Sequence, residues 1–143
     1  DSWAGAVPGT EFHACCVEPV LQIVRAVRAR HPDTPIIAFP RGCGAAYTTF
    51  ADKTGVDCLA LDNSVEPDWA ARCLQNKVCV QGNLDPLVLL ATPEEIRRRA
   101  KQVLDQAANR PGHIFNLGHG VVQQTPVENA IALVDAVHDL SRR

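Results

Sequence analysis

His113-Ile114-Phe115-Asn116-Leu117-Gly118-His119-Gly120 carries in eight residues the pattern on which this chain is built. A short apolar run leads straight into a polar turn flanked by glycines. The run 113–117 is continuous rather than alternating, as expected of a parallel strand covered on both faces. Gly118 and Gly120 let backbone or ligand come close to the turn. A histidine between them can donate hydrogen bonds or carry charge near neutrality; a histidine locked in a structural hydrogen bond accounts for the same letters.

The same grammar recurs upstream. Residues 35–39, 58–61 and 77–80 are three more continuous apolar runs, followed by Pro40-Arg41-Gly42, Asp62-Asn63-Ser64 and Gln81-Gly82-Asn83. Helices are expected between them. Thr92-Pro93-Glu94-Glu95 places Thr92 as N-cap, Pro93 as the first helical residue and Glu95 as the reciprocal acid of a capping box. That helix should run to about Asn109, with Pro111-Gly112 ending it. Thr125-Pro126-Val127-Glu128 repeats the pattern and opens a helix to about Leu140. Glu11 to about Arg30 is helical, with Pro19 as a break or kink, and Asp85 before Pro86 caps a short helix.

Strands and helices thus alternate, and the spacing suits right-handed parallel crossovers. Two architectures fit: a doubly wound open sheet, or part of an eight-fold β/α barrel. The polar clusters follow the strands, where a barrel gathers its chemistry. Their simplest reading is turn chemistry, because Gly and Asn supply positive φ and Asp supplies caps. Asp1-Ser2-Trp3-Ala4-Gly5 fits as a fifth rim segment.

Composition narrows the field further. The 143 residues are 46% apolar and 21% charged, with net charge −2, so one globular domain is expected and no phosphate-backbone grip on nucleic acid. No apolar run approaches the ~20 residues of a membrane span, and no signal-peptide pattern opens the chain. Met is absent and the chain begins Asp1-Ser2-Trp3, which raises the expectation of a truncated chain. Six cysteines without a C-x-x-C pair read as reduced structural thiols in a reducing compartment.

Several chemistries lack their parts. His13-Ala14-Cys15 has an H-x-C pattern that zinc sites use, but two positions apart on a helix these side chains lie about 200° apart. No G-x-G-x-x-G, Walker loop or nucleophile elbow follows a strand. Arg97-Arg98-Arg99 with Lys101 fans around a helix, four residues after Glu94 and Glu95, and reads as a solvated, paired surface. His13, His31, His113 and His138 make weaker site candidates than His119.

Taken together, Asp1-Ser2-Trp3-Ala4-Gly5, Phe39-Pro40-Arg41-Gly42, Gln81-Gly82-Asn83-Leu84-Asp85-Pro86 and Phe115-Asn116-Leu117-Gly118-His119-Gly120 leading to Thr125-Pro126-Val127-Glu128-Asn129 resemble the uroporphyrinogen decarboxylase family. The resemblance covers essentially the whole chain but only the C-terminal part of the family's. It implies an α/β fold, the C-terminal portion of a (β/α)8 TIM-type barrel with parallel strands and crossover helices, with residues 1–143 as one part of that domain. The implied reaction is removal of carbon dioxide from the four acetate arms of uroporphyrinogen III, giving coproporphyrinogen III in heme biosynthesis.

By the same resemblance, the enzyme uses no cofactor and no metal and is a cytoplasmic homodimer. Ser2 matches a rim position that touches the tetrapyrrole, and His119 matches the substrate-binding histidine of the Asn-Leu-Gly-His-Gly loop. Arg41 is a candidate helper for the acidic substrate, or a plain rim arginine. The family's critical aspartate, paired arginines and tyrosine belong to its other half, so these residues alone are expected to be inactive. Asn63-Ser64 departs from the larger residues the family often carries there, and the cysteines match no family role. Two alternatives are a zinc- and cobamide-dependent methyltransferase, whose rim carries His-x-Cys where this chain has Gly118-His119-Gly120, and a barrel fragment without catalysis.

Overall fold

The structure, a computed structural model, describes residues 1, 3–107 and 111–142. Its strands β1 (Ile37–Ala38), β2 (Cys58–Ala60), β3 (Cys79–Gln81) and β4 (His113–Ile114) form one sheet in the order β1-β2-β3-β4, every pair parallel. This order decides between the two architectures. A doubly wound sheet reverses its strand order at a switch point, whereas a barrel lays each strand beside the one before it. The chain has the barrel's order.

The strands are shorter than the apolar runs, for identifiable reasons. Pro35, which opens the first run, and Pro40, which follows it, bring no N–H to a ladder. In the third, the Lys77 and Val78 amides donate back to Leu74 O at 2.8 and 3.0 Å, closing the preceding helix before Cys79 can pair. The fourth run keeps pairing beyond Ile114 through a single parallel bridge between Leu84 and Leu117.

The register sorts side chains onto two faces. Leu59 and Val80 are partners and pack with Phe12, Val17, Tyr47, Phe50 and Leu74 in the core beneath the helices. On the opposite face Ile37, Cys58 and Cys79 form one row, and Ala60, Gln81 and Ile114 the next. These are layers of a barrel interior, and Ile37 and Ile114 are 49% and 43% exposed there. A second core gathers Leu84, Leu89, Ile96, Ala100, Val103 and Leu133, with Phe115 and Leu117 against it.

The helices are α1 (Gly9–Phe12), α2 (Glu18–Arg30), α3 (Ala46–Thr54), α4 (Pro67–Cys73), α5 (Pro93–Ala107) and α6 (Val127–Ser141). Pro19 falls in the first turn of α2, just after the α-helical pattern is interrupted. A π-helical segment, His13–Val17, joins α1 to α2, with the Glu18 amide reaching back to His13 O. The widened turn lets the chain pass a residue that has no N–H to give.

Capping follows the sequence in part. The Glu95 amide donates to Thr92 Oγ1 at 3.4 Å, but the Glu95 carboxylate turns to Arg98 at 2.6 and 2.7 Å rather than closing a capping box. The expected end near Asn109 lies outside the described residues. At α6 Thr125 does not cap. Pro126, with φ −63° and ψ 138°, occupies the N-cap position, and Thr125 is one residue too early to reach the first turn. Asp85 does cap: it accepts from the Leu87 amide at 2.9 Å and starts the 3-10 segment Pro86–Leu90.

Arg98 and Arg99 both pair with Glu95, and Lys101 pairs with Asp105, so the basic run is a solvated helix surface of small energetic weight. No helix among the described residues is long and apolar enough to cross a membrane.

Candidate functional site

Residues at the C-terminal ends of the strands share one rim. Beside β1, the Asp1 main-chain nitrogen donates to Phe39 O at 3.0 Å and the Arg41 amide donates to Asp1 O at 3.1 Å. Two such bonds flanking one residue are a parallel pairing, so Asp1 lies where a further strand end belongs. Ser2 lies outside the described residues. The Gly5 amide donates to Arg41 O at 2.9 Å, and a Cβ on Gly5 would overlap the Gly42 carbonyl. Only glycine allows that contact.

The most elaborate polar centre follows β2. Asp62 is 3% exposed. Its Oδ2 accepts from the Gly42 amide at 2.7 Å and the Tyr47 hydroxyl at 3.0 Å, and its Oδ1 accepts from the Ser64 amide at 2.9 Å and from the Ser64 hydroxyl. Burial pushes this carboxyl up, yet the Ser64, Gly42 and Tyr47 donors outweigh it and hold it below its ordinary value. Burial, then the Asp62 charge, pushes the Tyr47 phenol up. The same two causes push the Cys43 thiol up to about 12. Asn83, after β3, donates to Asp62 O at 2.8 Å and Val65 O at 2.6 Å. This centre is an anionic pin joining the ends of β1, β2 and β3.

Sequence reasoning took Asp62-Asn63-Ser64 as turn chemistry and missed the pin. Its local half was legible, because an Asp two residues before a Ser amide is the signature of an Asx turn. Tyr47 and Asn83 are 15 and 21 residues away, and no local pattern announces them.

After β4 the rim behaves differently. His119 is exposed, and its ring centroid lies 6.3 Å from that of Phe39, tilted by 43°. On a flat sheet the ends of β1 and β4 stand roughly 14 Å apart, three strand spacings. The two rings meet only because the rim loops converge on one mouth. Gly118 makes a second convergence: a Cβ there would overlap the Asn63 backbone, so the loops after β2 and β4 touch above β3.

His113, the weaker candidate, is half-buried, with Nε2 2.7 Å from Gly82 O. A carbonyl only accepts, so Nε2 carries the proton. Burial pushes this imidazole below its ordinary value, against the opposing pull of the Gly82 hydrogen bond. It is a neutral fixture of the strand start. Between residues 3–6, 41–42 and 62–64 the rim opens a cleft of about 500 Å³. All six cysteines are free thiols. Among the described residues, no group of three or more His, Cys, Asp or Glu side chains is arranged to hold a metal.

Parallel strands in sequential order, helices packed behind them, and polar residues converging at the strands' C-terminal ends define one class of fold, the β/α barrel. Within it, the family model for uroporphyrinogen decarboxylase matches residues 1–140, and the chain belongs to that family. It is 48% identical over 137 residues to the uroporphyrinogen decarboxylase of Paracoccus denitrificans, covering 96% of this chain and 40% of that relative. It is 44% identical over 142 residues to that of Novosphingobium aromaticivorans, covering 99% and 41%. The chain therefore spans about 40% of the length of the curated relatives it matches. Among solved structures, a methyltransferase from Methanosarcina mazei superposes with a TM-score of 0.77 at 16% identity, covering 99% of this chain and 41% of that one. That likeness concerns the fold alone.

Proposed function

We propose that this chain supplies one part of the rim of a uroporphyrinogen decarboxylase, which removes carbon dioxide from the four acetate arms of uroporphyrinogen III to leave coproporphyrinogen III. The family match over residues 1–140 carries the reading. The pathway served is heme biosynthesis, and the working form is a cytoplasmic homodimer. No metal or organic cofactor is required, because the substrate supplies its own electron sink. A proton added to the pyrrole carbon next to the one bearing the acetate arm makes the ring cationic. The C–C bond to the carboxylate then breaks, its electron pair forms an exocyclic methylene and neutralises the ring, carbon dioxide leaves, a second proton converts the methylene to a methyl group, and loss of the first proton restores the pyrrole.

The protein's task is to hold eight carboxylates and stabilise that cation. His119 is proposed to hold a substrate carboxylate at the mouth, oriented by the Phe39 ring and by the loop that Gly118 seats on Asn63. Ser2 is proposed as a hydroxyl donor to the tetrapyrrole.

The test is a chimera in which residues 1–143 replace the matching segment of the Paracoccus denitrificans relative, assayed anaerobically with product methyl groups counted. The chimera should convert uroporphyrinogen III to coproporphyrinogen III, and the 143 residues alone should not. A folded chimera without conversion would sink the reading, as would steady conversion by the 143 residues alone.

A further inference from the structure

Most described arginines already have an internal partner. Arg28, Arg72, Arg97, Arg98, Arg99 and Arg142 each face a carboxylate within 4.0 Å, and Arg25 and Arg30 stand exposed on α2. Arg41 is different. Its backbone is fixed on both sides, by its amide to Asp1 O and its carbonyl to the Gly5 amide. The residue is half-buried, yet its guanidinium makes no ion pair or hydrogen bond with any of the described residues.

Arg41 lines the rim cleft of about 500 Å³ together with Trp3, Asp62, Asn63 and Ser64, a volume within the ~300–1,000 Å³ of small-molecule sites. The one carboxylate in that cleft is already committed, since Asp62 receives Gly42, Tyr47 and both Ser64 donors. Trp3 is 74% exposed on the same cleft and presents an uncovered indole. A comparable cavity of about 380 Å³ includes Arg99, but that arginine is held by Glu95 at 3.5 Å.

A guanidinium with its donors unspent, beside an open indole, suits a flat ring carrying a carboxylate arm. Arginine binds carboxylates in a fork, and the indole lies against rings. We infer that this cleft is a subsite for one carboxylate-bearing pyrrole ring, with Arg41 on the arm's carboxylate and Trp3 against the ring. The assignment rests on the tetrapyrrole reading for the identity of its ligand.

Binding to the 143-residue chain tests it, by calorimetry with a monopyrrole bearing one acetate and one propionate arm, and with its dimethyl ester. The acid should bind the unsubstituted chain. Arg41→Met should weaken it about 10-fold or more, and Arg41→Lys should restore part of the loss as a point charge. Trp3→Leu should weaken acid and ester alike. An unsubstituted chain that ignores the acid, or an Arg41→Met chain that binds it equally well, overturns the subsite. Conversion by the chimera, together with acid binding indifferent to Arg41, removes the subsite alone. Acid binding that depends on Arg41, with a folded chimera that does not convert uroporphyrinogen, keeps the subsite and removes the tetrapyrrole reading.

Discussion

Asp62 and His119 occupy the same rim two strands apart, but the carboxylate of Asp62 is sealed among four donors, whereas the imidazole of His119 stands exposed with the Phe39 ring beside it. Both are polar groups at strand ends, and a sequence gives them equal standing. The difference lies in unused bonding capacity. A buried ion whose partners are all internal serves the fold, and a polar group on a positioned loop with capacity to spare is available to a ligand.

The largest expected effect breaks the sealed side of this contrast. Asp62→Ala leaves the Tyr47 hydroxyl, the Gly42 amide and both Ser64 donors without their acceptor. At about 1–3 kcal/mol per buried unpaired group, with some relief from water, urea unfolding should show a loss of about 3–5 kcal/mol. The unsubstituted chain should also lose stability in acid. The folded-state value of Asp62 is depressed, so the unfolded chain binds the proton first as pH falls. The stabilisation is present above the ordinary value of 3.8 and is lost as pH drops through the depressed one. Asp62→Ala should remove this component, and an unchanged acid limb would show that the pin does not hold the rim.

Next in size is the contact between the two loops. Gly118→Ala forces a methyl group into the Asn63 backbone and should cost about 1–3 kcal/mol. Gly120→Ala, two residues on, meets nothing within 4 Å and should change thermal stability by less than about 1 kcal/mol. Equal shifts in melting temperature would mean that the loops do not converge.

A smaller effect separates the two histidines. The folded-state value of His113 is lowered by burial, so the unfolded chain takes up the proton more readily. Stability contributed by this group is present above the ordinary value of 6.5 and falls as pH drops below it. His113→Gln keeps a donor for the Gly82 carbonyl but does not titrate, and should flatten urea-unfolding stability between about pH 6.5 and 5. A slope that persists in the variant would assign the titration elsewhere.

The alternation of parallel strands and helices was legible in the sequence because its signals are local, whereas the choice between a doubly wound sheet and a barrel needed the strand order. Continuous apolar runs, the Asp85 cap and the Thr92-Pro93 helix start each depend on neighbours a few residues away. Where the reading failed, the cause lay at longer range or in backbone geometry. The π-helical turn ahead of Pro19, whose bond runs from Glu18 back to His13, has no local signature. Thr125 loses the cap because Pro126 takes an extended conformation. At the rim, the close approach beside His119 could be read directly from Gly118. The Asp62 pin could not, because Tyr47, Gly42 and Asn83 reach it only once three strands are side by side.

The smallest stability effect is expected at His119, and there function and fold separate most cleanly. His119→Ala removes an exposed side chain whose ring neighbour is Phe39, and should change unfolding stability by less than about 0.5 kcal/mol. His113→Ala frees the Gly82 carbonyl from its 2.7 Å partner and should cost about 1 kcal/mol. In the chimera assay the order reverses. A lost hydrogen bond to a substrate carboxylate corresponds to about a 10-fold rise in KM or more, whereas His113→Ala should keep KM within about 2-fold, because its half-buried ring is already held by the Gly82 carbonyl. Stability and KM are independent readouts of the same two substitutions, so a merely unfolded variant cannot imitate the crossing. Equal KM values for the two variants would remove His119 from the substrate and leave the rim with a fold and no reader.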